Sequence, residues 1–146
     1  MTIGAALAIG ALAFVGCQSN PKASKQNSSL TNTHWELVSL EGKAIGEDIE
    51  KIPFITFNKD GTFNGNLGCN LFFGEYYQHK SKLELKNTGS TKMLCGNMET
   101  EDNFSKALRK KISKFEIDGK KLTIYSGNEV LFVFEDKTDT HPVEAE

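Results

Sequence analysis

Between His34 and Glu135 the apolar residues recur mostly at period two, in short segments separated by turn residues, and this period constrains the fold more than any other feature. Trp35 and Leu37 alternate with Glu36 and Val38, Ile55 and Phe57 with Phe54 and Thr56, and Phe63, Gly65 and Leu67 share one face. Successive side chains of a strand point to opposite faces, so each segment reads as a half-buried strand. Asn58-Lys59-Asp60-Gly61 is a tight hairpin signal, because Asp and Gly supply the turn geometry. Asp118-Gly119 plays the same part between Phe115-Glu116-Ile117 and Leu122-Thr123-Ile124-Tyr125, and Gly127-Asn128 leads into Val130 to Phe134. That last segment is apolar on both faces, which predicts a strand covered on both sides.

One segment breaks the period. Phe104, Leu108 and Ile112 recur at helical spacing, Asn97 is the expected N-cap, and Glu99, Glu101 and Asp102 come early while Arg109, Lys110 and Lys111 come late. This charge order complements the helix dipole, so a helix is predicted from about residue 98 to 112. Its apolar stripe should lie against the sheet or plug one end of a barrel. A meander of short strands must close or cover its edges. The expected fold is therefore mainly β: a small β-barrel or strongly curved antiparallel meander with one amphipathic helix packed on it.

The ends of the chain differ from this middle. An uncharged apolar run, Ile3 to Val15, is closed by Gly16 and Cys17 and followed by the polar Gln18-Ser19-Asn20-Pro21-Lys22. The run is too short to span a bilayer as a helix but has the length of a signal-peptide core. Phe14-Val15-Gly16-Cys17 resembles a lipobox, with Phe where such boxes usually carry Leu and with no basic residue before the apolar core. In a lipobox the Cys thiol takes a diacylglycerol and its freed amine a further acyl chain, a durable anchor at about 0.8 kcal/mol per buried methylene. The expected organisation is a lipoprotein signal peptide over 1–16, the lipidated Cys17 and a flexible tether over 17–33, the folded domain over 34–135, and a disordered tail over 136–146.

Gly68-Cys69-Asn70-Leu71-Phe72-Phe73-Gly74-Glu75-Tyr76, then Ser90-Thr91-Lys92-Met93-Leu94-Cys95 and the acidic Met98-Glu99-Thr100-Glu101, resemble the META domain, also called the HslJ-like domain. Trp35-x-Leu37 with Gly42, Ile55-x-Phe57 with Gly61, and Leu122-x-Ile124 fit the same pattern in the same order. The resemblance covers nearly all of residues 34–135. It implies a barrel of lipocalin-like topology, a setting in the bacterial cell envelope, and a link to heat shock and antibiotic tolerance. It brings no established catalytic residues and no established ligand. Leu71 stands where many relatives have Arg after Cys-Asn.

Read from the residues alone, Gly65, Gly68 and Gly74 point to bulges or close backbone approach, and Asn70 tolerates left-handed geometry. Two readings of the corner stay open: a strand-bend-strand turn, or a backbone nest that binds an anion or a peptide end. Cys69 and Cys95 are either bridged, as an oxidising envelope favours, or buried as thiols, or part of a soft metal site with Met93 or Met98. Met93 is otherwise expected to fill core space. Tyr76, Tyr77 and Tyr125 are expected to place their hydroxyls at the barrel rim.

The formal charge of −2, with Lys and Arg interspersed among Asp and Glu, offers no footprint for nucleic acid. The basic cluster Lys106 to Lys111 with Lys114 reads as a helix end. His34 opens a strand, His79 sits in a polar loop and His141 in the tail, and no nucleophile elbow, His-Glu-x-x-His pair or phosphate loop occurs. Asp48 with Glu50, and Glu99 with Glu101, read as a solvated turn and a helix start rather than an acid/base dyad. No catalytic, metal or cofactor site is expected. The expectation is a monomeric, non-enzymatic envelope protein, anchored by lipid to a membrane, most simply the periplasmic side of the outer membrane, and acting by binding in envelope stress or antibiotic tolerance. The alternatives are a lipocalin-like carrier of a small apolar ligand, and an inhibitor or chaperone-like partner of another envelope protein. Phe and Trp content argues against a hollow interior.

Overall fold

The computed structural model describes residues 26–46, 49 and 51–143, together with Gly4. Apart from Gly4, the apolar run and Cys17 lie outside the described residues, as do Asp48 and Glu50. The described chain forms β1 (Trp35–Leu40), β2 (Lys43–Ala44), β3 (Phe54–Phe57), β4 (Thr62–Asn66), β5 (Leu71–His79), β6 (Lys82–Ser90), α1 (Glu99–Leu108), β7 (Lys114–Asp118), β8 (Lys121–Ser126) and β9 (Glu129–Asp136).

All named strand pairings are antiparallel, and the sheet closes on itself. Sequential neighbours pair from β3 to β9, and β1 joins the two ends, with Trp35 opposite Ile55 of β3 on one edge and opposite Asp136 of β9 on the other. β2 is a short flap paired to the end of β1 through Leu40 and Lys43. Registers shift between Leu37 and Ser39, between Phe73 and Glu75, and between Ile124 and Tyr125. Such bulges bend and twist strands, which is what closure of so few strands requires. The narrowest seam joins β6 to β7 through the single register pair Lys82 and Lys114.

The alternation of the sequence becomes the inside and outside of this barrel. Trp35, Phe57, Phe63, Phe72, Phe104, Phe132 and Phe134 are all fully buried. The phenylalanine rings form a continuous chain of tilted and edge-on contacts: Phe57 to Phe63 at 6.4 Å between centroids, Phe63 to Phe72 at 5.5 Å, Phe72 to Phe104 at 5.7 Å, and Phe104 to Phe132 at 4.8 Å. Two glycines make room for it. A Cβ on Gly65 would stand 2.4 Å from the Phe72 ring, and one on Gly74 2.8 Å from the Phe63 ring. Gly74 also faces the register shift of β5 on β6.

The helix plugs the barrel through Phe104, which reaches Phe72 on one wall and Phe132 and Phe134 on the other. It is shorter than the sequence predicts. The chain leaves helical geometry after Leu108 through tightened bonds from Arg109 N–H to the Lys106 carbonyl (3.2 Å) and Lys110 N–H to the Ala107 carbonyl (3.0 Å), because it must turn to reach β7 at Lys114. Ile112 is still buried, but from the connector, whereas Leu108 is only partly covered and Ala107 is fully buried. The N-cap is Met98 and not Asn97, and its side chain makes no capping bond; Asn97, one residue earlier, accepts the Glu99 N–H on its Oδ1 at 3.0 Å.

The folded unit is also wider than 34–135. Leu30 is buried, its carbonyl accepts the Trp35 indole N–H at 3.0 Å, and Asn32 N–H donates to the Phe57 carbonyl. Ser28 N–H donates to the Gly119 carbonyl. At the other terminus Lys137 N–H donates to the His34 carbonyl, and the His141 ring stacks on His34 at 4.9 Å. Residues 28–33 and 137–141 thus belong to the fold, held by main-chain bonds that polar residues make as readily as apolar ones.

Candidate functional site

The sequence motif folds into one corner where the end of β4, the end of β6 and the first turn of α1 meet. Asn66 Oδ1 accepts the Gly68 N–H (2.7 Å), Leu67 N–H donates to the Asn70 carbonyl (2.8 Å), and Gly68 takes φ +122°, a conformation L side chains rarely adopt. This turn aims the N–H groups of Cys69 and Asn70 at a single point. There they meet Oε2 of Glu101, at 3.0 and 2.7 Å. The Asn70 side-chain amide donates to Oε1 of the same carboxylate at 2.6 Å.

Asn70 also holds the far strand. Its Oδ1 accepts from the Thr91 hydroxyl (2.9 Å) and the Met93 N–H (2.6 Å), and its Nδ2 donates to the Met93 carbonyl (3.0 Å). Thr91 Oγ1 in turn accepts the Leu71 N–H at 3.1 Å. Cys69 and Cys95 are bridged, with Cα atoms 6.1 Å apart. Among the described residues no buried side-chain N or O atom lacks a hydrogen-bond partner.

The corner is the strand-bend-strand turn between β4 and β5, and its inward N–H groups are satisfied by the chain's own carboxylate. Glu101 is buried, not the solvated helix start that the acidic run suggests. The helical period held the signal, since Glu101, Phe104 and Leu108 lie at i, i+3 and i+7 and so on one face. Gly68, Cys69, Asn70, Thr91, Met93 and Cys95 come together here, while Gly74 and Tyr76 do not. Gly74 lies under Phe63, and Tyr76 sits toward the other rim, where its hydroxyl donates to the Asn58 carbonyl at 2.7 Å. Burial, with Asp60 nearby, raises the Tyr76 pKa. Tyr77 and Tyr125 point outward instead, Tyr77 half exposed and Tyr125 donating to Glu116.

Met93 is another correction. Its backbone is locked by Asn70, but its side chain is 55% exposed and fills no core space. Beside it Leu94 is 94% exposed, and on the outer face of β5 Leu71 and Phe73 are each 52% exposed. The Thr91–Leu71 bonds hold these two segments side by side. The fully satisfied corner thus carries an exposed apolar surface on its outside.

His34 and His141, unremarkable in the sequence, both approach Glu36. Burial and the neighbouring His141 lower the His34 pKa, against the opposing pull of Glu36. A cleft of about 610 Å³ opens between the β1–β2 hairpin and α1, lined by Glu41, Lys43, Ile45, Thr100, Asn103 and Lys110 among others, and none of the buried rings lines it. No helix among the described residues is long and apolar enough to cross a membrane.

The structure therefore defines a small closed β-barrel domain, filled by aromatic rings and latched at one end by a helix carboxylate and a disulfide. The META domain family model matches residues 28–138, and the chain belongs to this family. It is 27% identical over 122 residues to the heat shock protein HslJ of Escherichia coli, covering 82% of this chain and 86% of that one. Two solved structures share the fold. One is a protein from Burkholderia xenovorans, determined by NMR, with a TM-score of 0.59 and 20% identity, covering 75% of this chain and 84% of that one. The other is a crystal structure of a duf4847 family protein from Bacteroides vulgatus, with a TM-score of 0.54 and 17% identity, covering 80% of this chain and 96% of that one.

Proposed function

We propose that this META domain is a non-enzymatic, lipid-anchored protein of the bacterial cell envelope that acts in stress tolerance by binding another envelope protein. The observation that carries the reading is the exposed apolar surface of Leu71, Phe73, Met93 and Leu94, built on the latched corner. Exposed large apolar side chains on segments that the Thr91 and Asn70 bonds hold side by side on a rigid support are the mark of an interaction site. Leu71 contributes an apolar side chain where the family resemblance leads one to expect Arg.

The placement of that surface supports an anchored role. The chain enters the barrel beside the β7–β8 turn, where Ser28 N–H bonds to Gly119, and passes the end of β3 through Thr31 and Phe57. β4 runs from that end to Asn66, where the corner begins. The patch therefore sits at the end of the barrel away from the incoming tether. A lipid on Cys17 would therefore leave the patch clear of the point where the anchor joins the domain. The resemblance to a heat shock protein supports the stress setting.

A carrier of apolar ligands needs an interior that is empty, and here the interior is occupied by the chain of rings from Phe57 to Phe132. The test is crosslinking in intact cells followed by capture of the anchored protein. Wild type is compared with the triple variant Leu71→Ser, Phe73→Ser, Leu94→Ser and with a tether-only control. The reading requires a partner captured by wild type and lost from the variant at equal abundance. Identical capture by wild type and variant would overturn it, as would a saturable rise in unfolding temperature with fatty acids, which would favour the carrier.

A further inference from the structure

Two histidines separated by almost the whole folded chain converge on one carboxylate at the start of β1. His34 Nε2 lies 3.5 Å from Glu36 Oε1, and His141 Nδ1 lies 3.2 Å from the same oxygen. One ligand atom from each of the three residues falls within 4.8 Å of the other two.

The cluster is held by packing and by main-chain bonds. His34 directly precedes β1 and Glu36 is the second residue of that strand, so both lie at its start, two residues apart. Phe54 packs on the His34 ring at 4.4 Å, and the side chains of His34 and Glu36 are each only 13% exposed. The tail is folded back to deliver His141. Lys137 N–H donates to the His34 carbonyl (2.9 Å), His34 N–H donates to the Thr138 hydroxyl (3.0 Å), and His141 N–H donates to the Lys137 carbonyl (2.8 Å).

Both nitrogen–oxygen separations are at or beyond the long end of the range for an N–H to O hydrogen bond. They fit a different chemistry better. An ion bound tetrahedrally at about 2.0–2.1 Å keeps its ligand atoms about 3.4 Å apart; the two nitrogen–oxygen edges fall on either side of that value, and the two nitrogens lie within 4.8 Å of each other, close enough for a small turn of the exposed His141 ring to complete the set. Two imidazoles and one carboxylate are a donor set for late first-row divalent ions, whereas calcium and magnesium take oxygen ligands alone. The neighbouring lysines do not oppose a cation with free charge, since Lys137 pairs with Glu135 at 2.9 Å and Lys120 with Asp139 at 2.6 Å.

We propose that His34, Glu36 and His141 form a binding site for a divalent transition metal of the zinc or copper type, which fastens the C-terminal tail to the start of β1. The ion joins residues 34 and 36 to residue 141 at the same end of the barrel where the tether enters. It would thereby reinforce the main-chain bonds that already hold the tail there. His141 is 58% exposed, so the ion keeps a face toward solvent.

The experiment titrates Zn²⁺ into the full chain in detergent, freed of metal and carrying no histidine tag. The midpoint of thermal unfolding and the heat of binding are followed together. One ion per chain is expected, with a saturable rise in midpoint, because an ion that binds only the folded state stabilises it by mass action. His141→Ala, compared with its own metal-free midpoint, should show no Zn²⁺-dependent rise and should bind Zn²⁺ at least tenfold more weakly. Glu36→Gln should lose affinity likewise, and His79→Ala should lose none. Co²⁺ in place of Zn²⁺ should give visible bands that disappear in His141→Ala. Absence of a saturable shift, or a shift and Co²⁺ spectrum that persist in His141→Ala, would overturn the proposal.

Discussion

Replacing Glu101 by Gln removes one charge and changes almost no volume, so it isolates what the carboxylate does. Oε2 accepts the N–H groups of Cys69 and Asn70, and Oε1 accepts the Asn70 side-chain amide. Glutamine can turn its one oxygen to the two backbone donors, but its NH2 then faces the Asn70 NH2, donor against donor. Asn70 cannot flip to relieve this, because its Oδ1 already accepts from Thr91 and Met93 and its Nδ2 already donates to the Met93 carbonyl. Hydrogen bonds to a charged group contribute about 1.5–3 kcal/mol each, and a buried unsatisfied donor costs about 1–3 kcal/mol. Losing the charge assistance on two bonds and the third bond outright should cost about 2–4 kcal/mol. For a domain of this size that lowers the unfolding midpoint by about 8–15 °C. The assay is thermal unfolding followed by circular dichroism, with Glu99→Gln, an exposed neighbour in the same first turn, as control. A Glu101→Gln midpoint within a degree or two of wild type, or equal to that of Glu99→Gln, would refute the latch.

Mass analysis under non-reducing conditions should find no free thiol at Cys69 or Cys95, and Cys95→Ala should lower stability by about 3.5 kcal/mol in the chain-entropy model for a separation of 26 residues. Phe104→Ala should cost about 3–5 kcal/mol in chemical unfolding, because the ring is fully buried against Phe72, Phe132 and Phe134. Leu108→Ala should cost clearly less, since Leu108 is only partly covered. Burial would raise the Asp136 pKa, but hydrogen bonds from Ser28 and Thr138 prevail and hold it below the usual carboxylate value. A depressed folded pKa contributes stability above the unfolded pKa that is lost as pH falls through the folded one, so Asp136→Asn should flatten the loss of stability below about pH 4 in an acid titration. Cys17→Ser should release the protein from membranes or leave an uncleaved precursor on fractionation, and wild-type behaviour of that variant would remove the anchor from the proposed function.

The barrel was legible because burial alone decides it. Trp35, Leu37, Ile55, Phe57, Phe63 and Leu67 alternate in the sequence and are buried in the structure. Both tight turns that the sequence marks, at Asp60-Gly61 and Asp118-Gly119, connect paired strands. What escaped was held by other forces. Ser28, Asn32, Lys137 and Thr138 attach to the barrel through main-chain and hydroxyl bonds, which leave no apolar period to read. The helix end was misplaced because Ile112 continues the stripe in register although the chain has already turned, and only the demand of reaching Lys114 explains the turn.

The site was half legible for a related reason. Gly68 and Asn70 announce unusual backbone geometry, and geometry of that kind turns N–H groups inward, but nothing local says what accepts them. The acceptor lies more than thirty residues away on a helix, and its charge fits the dipole so well that the dipole alone accounts for an acid there. Only the joint demand of two periods places it, since the face that carries Phe104 into the barrel must also carry Glu101 to the corner. This coupling makes the helix and the corner interdependent. Without Glu101 the N–H groups of Cys69 and Asn70 are buried without a partner, and without the corner the carboxylate is buried without a donor, so neither is stable in the dry rim alone. The disulfide from Cys69 to Cys95 ties the same corner to the segment leading into the helix. The apolar side chains of Leu71, Phe73, Met93 and Leu94 are therefore displayed on a support fixed from three directions, and a surface fixed in advance loses little entropy when a partner meets it.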